Sequence, residues 1–196
     1  MTHSHDLAEP ELERLVRDLA AAPERWRHLV AHRPDERTYA ELHRDQHLAV
    51  WLICWMNDHD TGYHDHDVSA GAVAVAAGAV REDRLVLGGP PAVRTAQAGE
   101  AFTFGPADIH RVSHTGTEPA ITLHAYSPPL WRMGAYEVLR TGELRRWSLS
   151  YAEELRPITH EKGPLAGKAS TWEGEEGRKR LASGPSRLIG THPAAL

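Results

Sequence analysis

The sequence predicts a mainly β domain, a barrel or sandwich of short strands preceded by short α-helices. Three observations predict it. From Leu48 onward, β-type runs recur at short intervals, separated by Gly, Pro, Asn and Asp. The unbroken apolar run Leu48-Ala49-Val50-Trp51-Leu52-Ile53-Cys54-Trp55 reads as a buried strand. No helical pattern intervenes between the later runs, which excludes alternating βα units.

The first element is an amphipathic helix from Leu7 to about Ala21. Leu12, Leu15, Val16 and Leu19 recur at helical spacing, with Arg14, Arg17 and Asp18 on the opposite face. A second short helix is expected from Pro23 to Ala31, because proline fits a first turn and the Arg33-Pro34 step disfavours helix at the other end. Strands are expected near 48–56, 70–82, 84–88, 101–104, 110–114 and 120–127. Beyond Tyr151 the chain becomes polar and rich in Gly, Lys and Glu, which predicts an extended or mobile tail. The expected organisation is therefore one domain: a helical segment over 1–47 packing on the barrel, the barrel over 48–155, and an irregular extension over 156–196.

Bulk properties narrow the function. At 196 residues there is chain for one full core. The formal charge of −5, with acids scattered among bases, offers no basic footprint for nucleic acid or an anionic membrane. A small-molecule partner is expected, and a monomer. The single cysteine, Cys54, excludes an intrachain disulfide. The first residues lack the basic start and apolar stretch of a signal peptide, and no apolar segment approaches the roughly 18 residues that cross a bilayer. A soluble, cytoplasmic protein is expected.

The chemistry sits in the histidines. There are 14, and most, including His28, His32, His43 and His47, are scattered where a surface would carry them. Gly62-Tyr63-His64-Asp65-His66-Asp67 is different: in an extended backbone His64 and His66 point to one side, since side chains alternate with a period of two. Farther on, a strand and a Gly105-Pro106 turn lead to His110. Three neutral imidazoles suit a borderline first-row metal and leave coordination positions open. An isolated His-x-His is more often a polar loop pair than a ligand pair, so the weight falls on the surrounding sequence.

That surrounding sequence, from Trp51 to Pro129, resembles cysteine dioxygenase, a family of mononuclear non-haem iron enzymes on a cupin barrel (a double-stranded β-helix or jelly roll). Leu52-Ile53-Cys54-Trp55 leading to His64-Asp65-His66 resembles its first ligand pair, and Ile109-His110-Arg111-Val112 its third ligand. Thr122-Leu123-His124-Ala125-Tyr126-Ser127-Pro128-Pro129 resembles the segment that carries an outer histidine and tyrosine. The resemblance implies Fe(II) on His64, His66 and His110, with Tyr126, His124 and Thr122 as a catalytic face. It implies a small thiol and O2 as partners, and oxidation of L-cysteine to cysteine sulfinic acid. Thr122, His124 and Tyr126 alternate by two, so one strand face carries a hydroxyl, an imidazole and a phenol in a row.

Three departures qualify the resemblance. Gly71 stands where animal members carry the cysteine that cross-links to the tyrosine, so Tyr126 is expected to remain a free phenol. No glutamate follows His66 at the spacing of many cupins, where the sequence reads Asp67-Val68-Ser69-Ala70, so an all-histidine site is expected. The arginine that binds the substrate carboxylate falls on Arg37, Tyr39 or Arg44 depending on gap placement, and one of these is expected to take that role. Arg132 is a further candidate for an anion. Other readings are a dioxygenase of another thiol such as 3-mercaptopropionate, a zinc hydrolase or isomerase, and a non-catalytic metal-binding cupin. Trp55, Val73, Val75, Phe102, Phe104 and Leu123 are expected to fill the barrel.

Overall fold

The computed structural model describes residues 3–150 except 140 and 142. The expected tail beyond Tyr151, with its extension over 156–196, lies outside these residues. A helix, α1, spans Glu9–Ala20. It starts without a side-chain cap at Ala8, but the Glu11 carboxylate accepts from the Ala8 backbone N–H at 2.9 Å. Glu9 and Glu11 in the first turn and Arg17 in the last complement the helix dipole. Leu12, Val16 and Leu19 are its buried residues, as their spacing predicted.

Two antiparallel sheets follow. The first has the order β1 (Thr38–Arg44), β2 (Ala49–Trp55), β9 (Ala120–Ser127), β4 (Ala70–Ala77) and β7 (Ala101–Phe104). The second runs β11 (Leu144–Ser150), β10 (Arg132–Val138), β3 (Tyr63–Asp65), β8 (His110–Thr115), β5 (Ala79–Arg84) and β6 (Ala92–Gln97). Among the described residues no ladder joins the two. The expected barrel is thus a two-sheet jelly roll whose sheets close by packing.

Period-two alternation assigns each strand's residues to one of two cores. Trp51, Ile53, Trp55, Val73, Val75 and Tyr126 face the interior between the sheets. Val50, Leu52, Cys54, Ala72, Ala74 and Leu123 face outward, under Leu12, Val16 and Leu19 of α1. Every residue of β2 is therefore buried, and this is why its sequence is unbroken apolar. Each fully buried large side chain here contributes about 1.5–3 kcal/mol relative to exposure.

Several elements differ from those expected. The expected second helix is two short 3₁₀ turns, Pro23–Arg25 and Arg27–Leu29, either side of Trp26. The Trp26 indole N–H donates to the Leu19 carbonyl at 2.9 Å, which holds these turns against the end of α1. Residues 38–44, expected in a helical segment, form β1; charged Glu41 and Arg44 mask its pairing with β2. The single strand expected over 70–82 is two, because Gly78 (φ +66°) turns the chain from the first sheet into the second. A Cβ there would lie 2.6 Å from the Pro119 carbonyl. No strand forms over 84–88 beyond Arg84, the last residue of β5. β6 shows no apolar alternation because five of its six residues are exposed, and in β10 and β11 polar residues obscure the alternation. Leu123 packs under α1 rather than inside the barrel.

Candidate metal centre

His64 is the middle residue of β3 and lies directly opposite His110 of β8 in the ladder. His66 follows one residue after β3 ends. One ring nitrogen from each of the three lies within 4.8 Å of the others. Ring centroids are 4.8 Å (His64–His66), 4.7 Å (His64–His110) and 5.1 Å (His66–His110) apart. All three are buried. The structure therefore brings together the triad that the spacing suggested.

Electrostatics leaves the three rings neutral at pH 7. Burial pushes His64 down to about 4, against the opposing Gly62 carbonyl and with help from the positive charge of Arg37. Burial and the neighbouring imidazoles hold His66 and His110 well below 6.5. Outer partners fix two tautomers. His64 Nδ1 donates to the Gly62 carbonyl at 3.1 Å, and His110 Nδ1 donates to the Glu82 carboxylate at 2.6 Å, because those oxygens only accept. Each Nε2 then carries a lone pair. His110 Nε2 and both nitrogens of His66 are buried with no hydrogen-bond partner among the described residues. Buried unsatisfied nitrogens cost about 1–3 kcal/mol each, and a coordinated divalent ion removes that cost. The donor set fits such an ion.

The intervening Asp65 points away, as expected for alternating side chains. It accepts from the Gly134 N–H at 2.9 Å, from Arg146 Nε at 3.0 Å and from the Tyr136 hydroxyl. The guanidinium and these donors hold its carboxyl well below the usual range, despite burial. β10 and β11 thereby clamp the short strand that carries His64 and leads to His66.

Across the interior, β9 presents Thr122, His124 and Tyr126 in a line. Thr122 Oγ1 lies 2.8 Å from His124 Nε2, and His124 Nδ1 lies 3.1 Å from the Tyr126 hydroxyl. Trp55, expected to be filler, donates its indole N–H to Thr122 Oγ1 at 2.7 Å. Burial pushes His124 down to about 3, so it carries a single N–H at pH 7. With Trp55 donating into Thr122, the Thr122 hydroxyl can donate to His124 Nε2. His124 Nδ1–H then donates to the phenol oxygen of Tyr126, which lines the cavity.

Phe104 is the other residue underestimated as filler. Its ring stacks on His66 at 4.3 Å and tilts against His110 at 4.6 Å. Gly71 lies opposite Tyr126 in the β4–β9 ladder, and a Cβ there would meet the Phe104 ring at 2.2 Å. The glycine is what lets Phe104 reach the ligands.

Of the carboxylate-binding candidates, Arg37 lines the cavity beside His64, His110, His124 and Tyr126. Its guanidinium stacks over Trp55 at 5.5 Å. Tyr39 packs edge-on against Trp51 at 6.3 Å, and Arg44 pairs with Glu41 at 2.7 Å; neither is among the cavity-lining residues. Arg132 pairs with Asp67 at 3.2 Å on the surface. His59 uses both nitrogens to brace the loop before β3, through the Met56 N–H at 2.9 Å and the Pro34 carbonyl at 3.1 Å.

Sequence comparison places residues 5–138 within the family model described as cysteine dioxygenase type I. The chain belongs to the cysteine dioxygenase type I family. It is 30% identical over 103 residues to cysteine dioxygenase type 1 of Danio rerio, covering 47% of this chain and 51% of that protein. It is 26% identical over 113 residues to the Rattus norvegicus protein of the same name, covering 52% and 55%. The chain thus spans about half the length of the curated relatives it matches. Among solved structures it is similar to a Klebsiella pneumoniae protein with a double-stranded β-helix domain. The TM-score is 0.46 and the identity 18%, covering 52% of this chain and 80% of that one. A cupin superfamily protein from Desulfitobacterium hafniense gives a TM-score of 0.45 at 9% identity, covering 52% and 86%.

Proposed function

We propose that the protein is an Fe(II)- and O2-dependent thiol dioxygenase that converts L-cysteine to cysteine sulfinic acid, with both oxygen atoms ending on sulfur. The observation that carries this reading is that His64 and His110 of a three-imidazole cluster and His124 and Tyr126 of a Trp–Thr–His–Tyr hydrogen-bond chain line one cavity. Family membership supports the same reading. Fe(II) held by His64, His66 and His110 would supply an electron-rich centre where a thiolate and dioxygen can meet. Three neutral ligands leave its charge undiminished in the first shell, which favours the deprotonated thiol.

The chain's own residues do the rest. Arg37 pairs with the substrate carboxylate, because a guanidinium on the cavity wall supplies two parallel donors. Tyr126 donates a hydrogen bond toward the reacting oxygen or the carboxylate, and Thr122 and His124 hold that phenol in place. Phe104 and Met133 line the cavity with apolar surface and limit water.

The test is oxygen uptake by ferrous-loaded protein with L-cysteine, cysteamine and 3-mercaptopropionate in parallel, with products identified by mass. Addition of 32 mass units, that is about two oxygen atoms, to cysteine in preference to cysteamine is the expected result. Preference for 3-mercaptopropionate would keep the chemistry and change the substrate. No uptake with any thiol in iron-loaded protein would overturn the reading in favour of a zinc enzyme or a non-catalytic cupin.

A further inference from the structure

We propose that Glu82 is a positioning residue of the metal centre, setting both the orientation of His110 and the electron-donating strength of that ligand. The inference rests on the reading that the histidine triad holds a metal, and goes beyond it by assigning a carboxylate to a site whose sequence suggested histidines alone.

Glu82 lies on β5, 28 residues before His110, and is only 3% exposed. One carboxylate oxygen, Oε1, accepts from His110 Nδ1 at 2.6 Å, and the other, Oε2, from Arg94 Nε. Arg84 approaches Oε1 at 3.4 Å. A buried carboxylate with two cationic partners stays in place only if its geometry is kept. Here that geometry leaves the second nitrogen of His110, the unsatisfied Nε2, turned toward His64 and His66.

The three candidate ligands are therefore unequal. His64 has a neutral carbonyl behind it, His66 has a stacked Phe104, and His110 has an anion. A carboxylate behind an imidazole raises its basicity and favours the higher oxidation state of the bound metal. Arg94 works in the opposite sense, since it withdraws part of the Glu82 charge. Arg84 extends the network: it donates to the Thr103 carbonyl at 2.7 Å and pairs with Asp108 at 3.0 Å. Thr103 precedes Phe104, so the same network steadies the wall against which His66 stacks.

The opposite signs make the test. Parent, Glu82→Gln and Arg94→Gln proteins are titrated with cobalt(II), followed by its visible spectrum. They are then loaded with iron, and the Fe(III)/Fe(II) potential is measured. Glu82→Gln keeps an oxygen acceptor for His110 and removes the charge, so it is expected to fold, bind cobalt with affinity reduced about 10–100-fold, and raise the potential. Arg94→Gln is expected to lower the potential. Mere loosening of the site would move both potentials the same way, and that result, or unchanged affinity and potential in Glu82→Gln, overturns the inference alone. A parent protein that gives no cobalt spectrum, or one that a His66→Ala variant leaves intact, overturns the metal reading itself and the inference with it. Circular dichroism of the metal-free variants confirms the fold, and unfolding of Glu82→Gln transfers the test to Arg94→Gln, whose unchanged or raised potential overturns the inference.

Discussion

The two sheets bring different physics to the same cavity. The first sheet is covered on both faces, by the interior and by α1, and its functional residues sit on β9 in the middle of an apolar layer. The second sheet supplies His64 and His110 from strands braced by ions: Asp65 with Arg146, Glu82 with Arg94, and Asp60 with Arg111. Apolar packing has no preferred direction, whereas charge-assisted hydrogen bonds do. A metal centre needs lone pairs aimed at one point, and the second sheet, on which no described helix packs, carries the ion pairs that aim them. A hydrogen-bond chain needs protection from water, and the doubly covered sheet supplies it.

This contrast is open to direct attack. Tyr126→Phe is expected to slow turnover about 10²–10³-fold while metal content stays at the parental level; His66→Ala is expected to lose the metal itself. Metal analysis beside steady-state rates separates the two, and metal loss in Tyr126→Phe would erase the division of labour. Asp65→Asn, which leaves the partly exposed Arg146 and Tyr136 without their anion, is expected to lower stability by about 1–3 kcal/mol in urea unfolding of the metal-free protein. Gly71→Ala drives a methyl into Phe104 and is expected to cost about 1–3 kcal/mol by the same measurement. Thr122→Val strands the Trp55 indole and His124 Nε2 inside the covered sheet, at a similar cost of about 1–3 kcal/mol. Its loss should be insensitive to salt, whereas the second sheet's ion pairs weaken as salt rises where they reach solvent.

Acid bears on the same covered sheet. His124 titrates at about 3 in the folded protein against 6.5 ordinarily. Between those values the unfolded chain binds a proton that the folded chain refuses, so stability is full above 6.5 and falls on acidification toward 3. The slope is up to about 1.4 kcal/mol per pH unit for each such histidine. A His124→Gln variant is expected to show a shallower acid slope in metal-free unfolding curves, and an unchanged slope would contradict the buried, neutral assignment.

What could be read in advance follows the same division. β2 and β9 were legible because burial on both faces writes long apolar runs, and β9 also displays Thr122, His124 and Tyr126 at period two. His64, His66 and His110 were legible as residue types at suggestive spacing. Their supports were not. Glu82 lies in Arg81-Glu82-Asp83-Arg84, four charges in a row that carry no alternation signal, and its partner is remote in sequence. Arg37 and Tyr39 are two apart and both lie on the inner side, so alternation alone could not separate them; what does is that Arg37, just before β1, borders the cavity while Tyr39 packs on Trp51. Phe104 read as filler because an aromatic in a core strand usually is; the signal that marks it is Gly71, meaningful only when β4 is set beside β7.

The Asp65 clamp also has a consequence for the order in which the molecule is made. A nascent chain that has emerged only as far as Pro129 contains every candidate ligand and the whole relay, yet lacks Gly134, Tyr136 and Arg146, the groups that fasten β3 from behind. Competence to hold an ion at its final strength thus belongs to the last hairpin synthesised before the end of the described chain. If an ion binds the triad, its capture is expected to be coupled to docking of that hairpin, and it should slow amide exchange in β10 more than in β2.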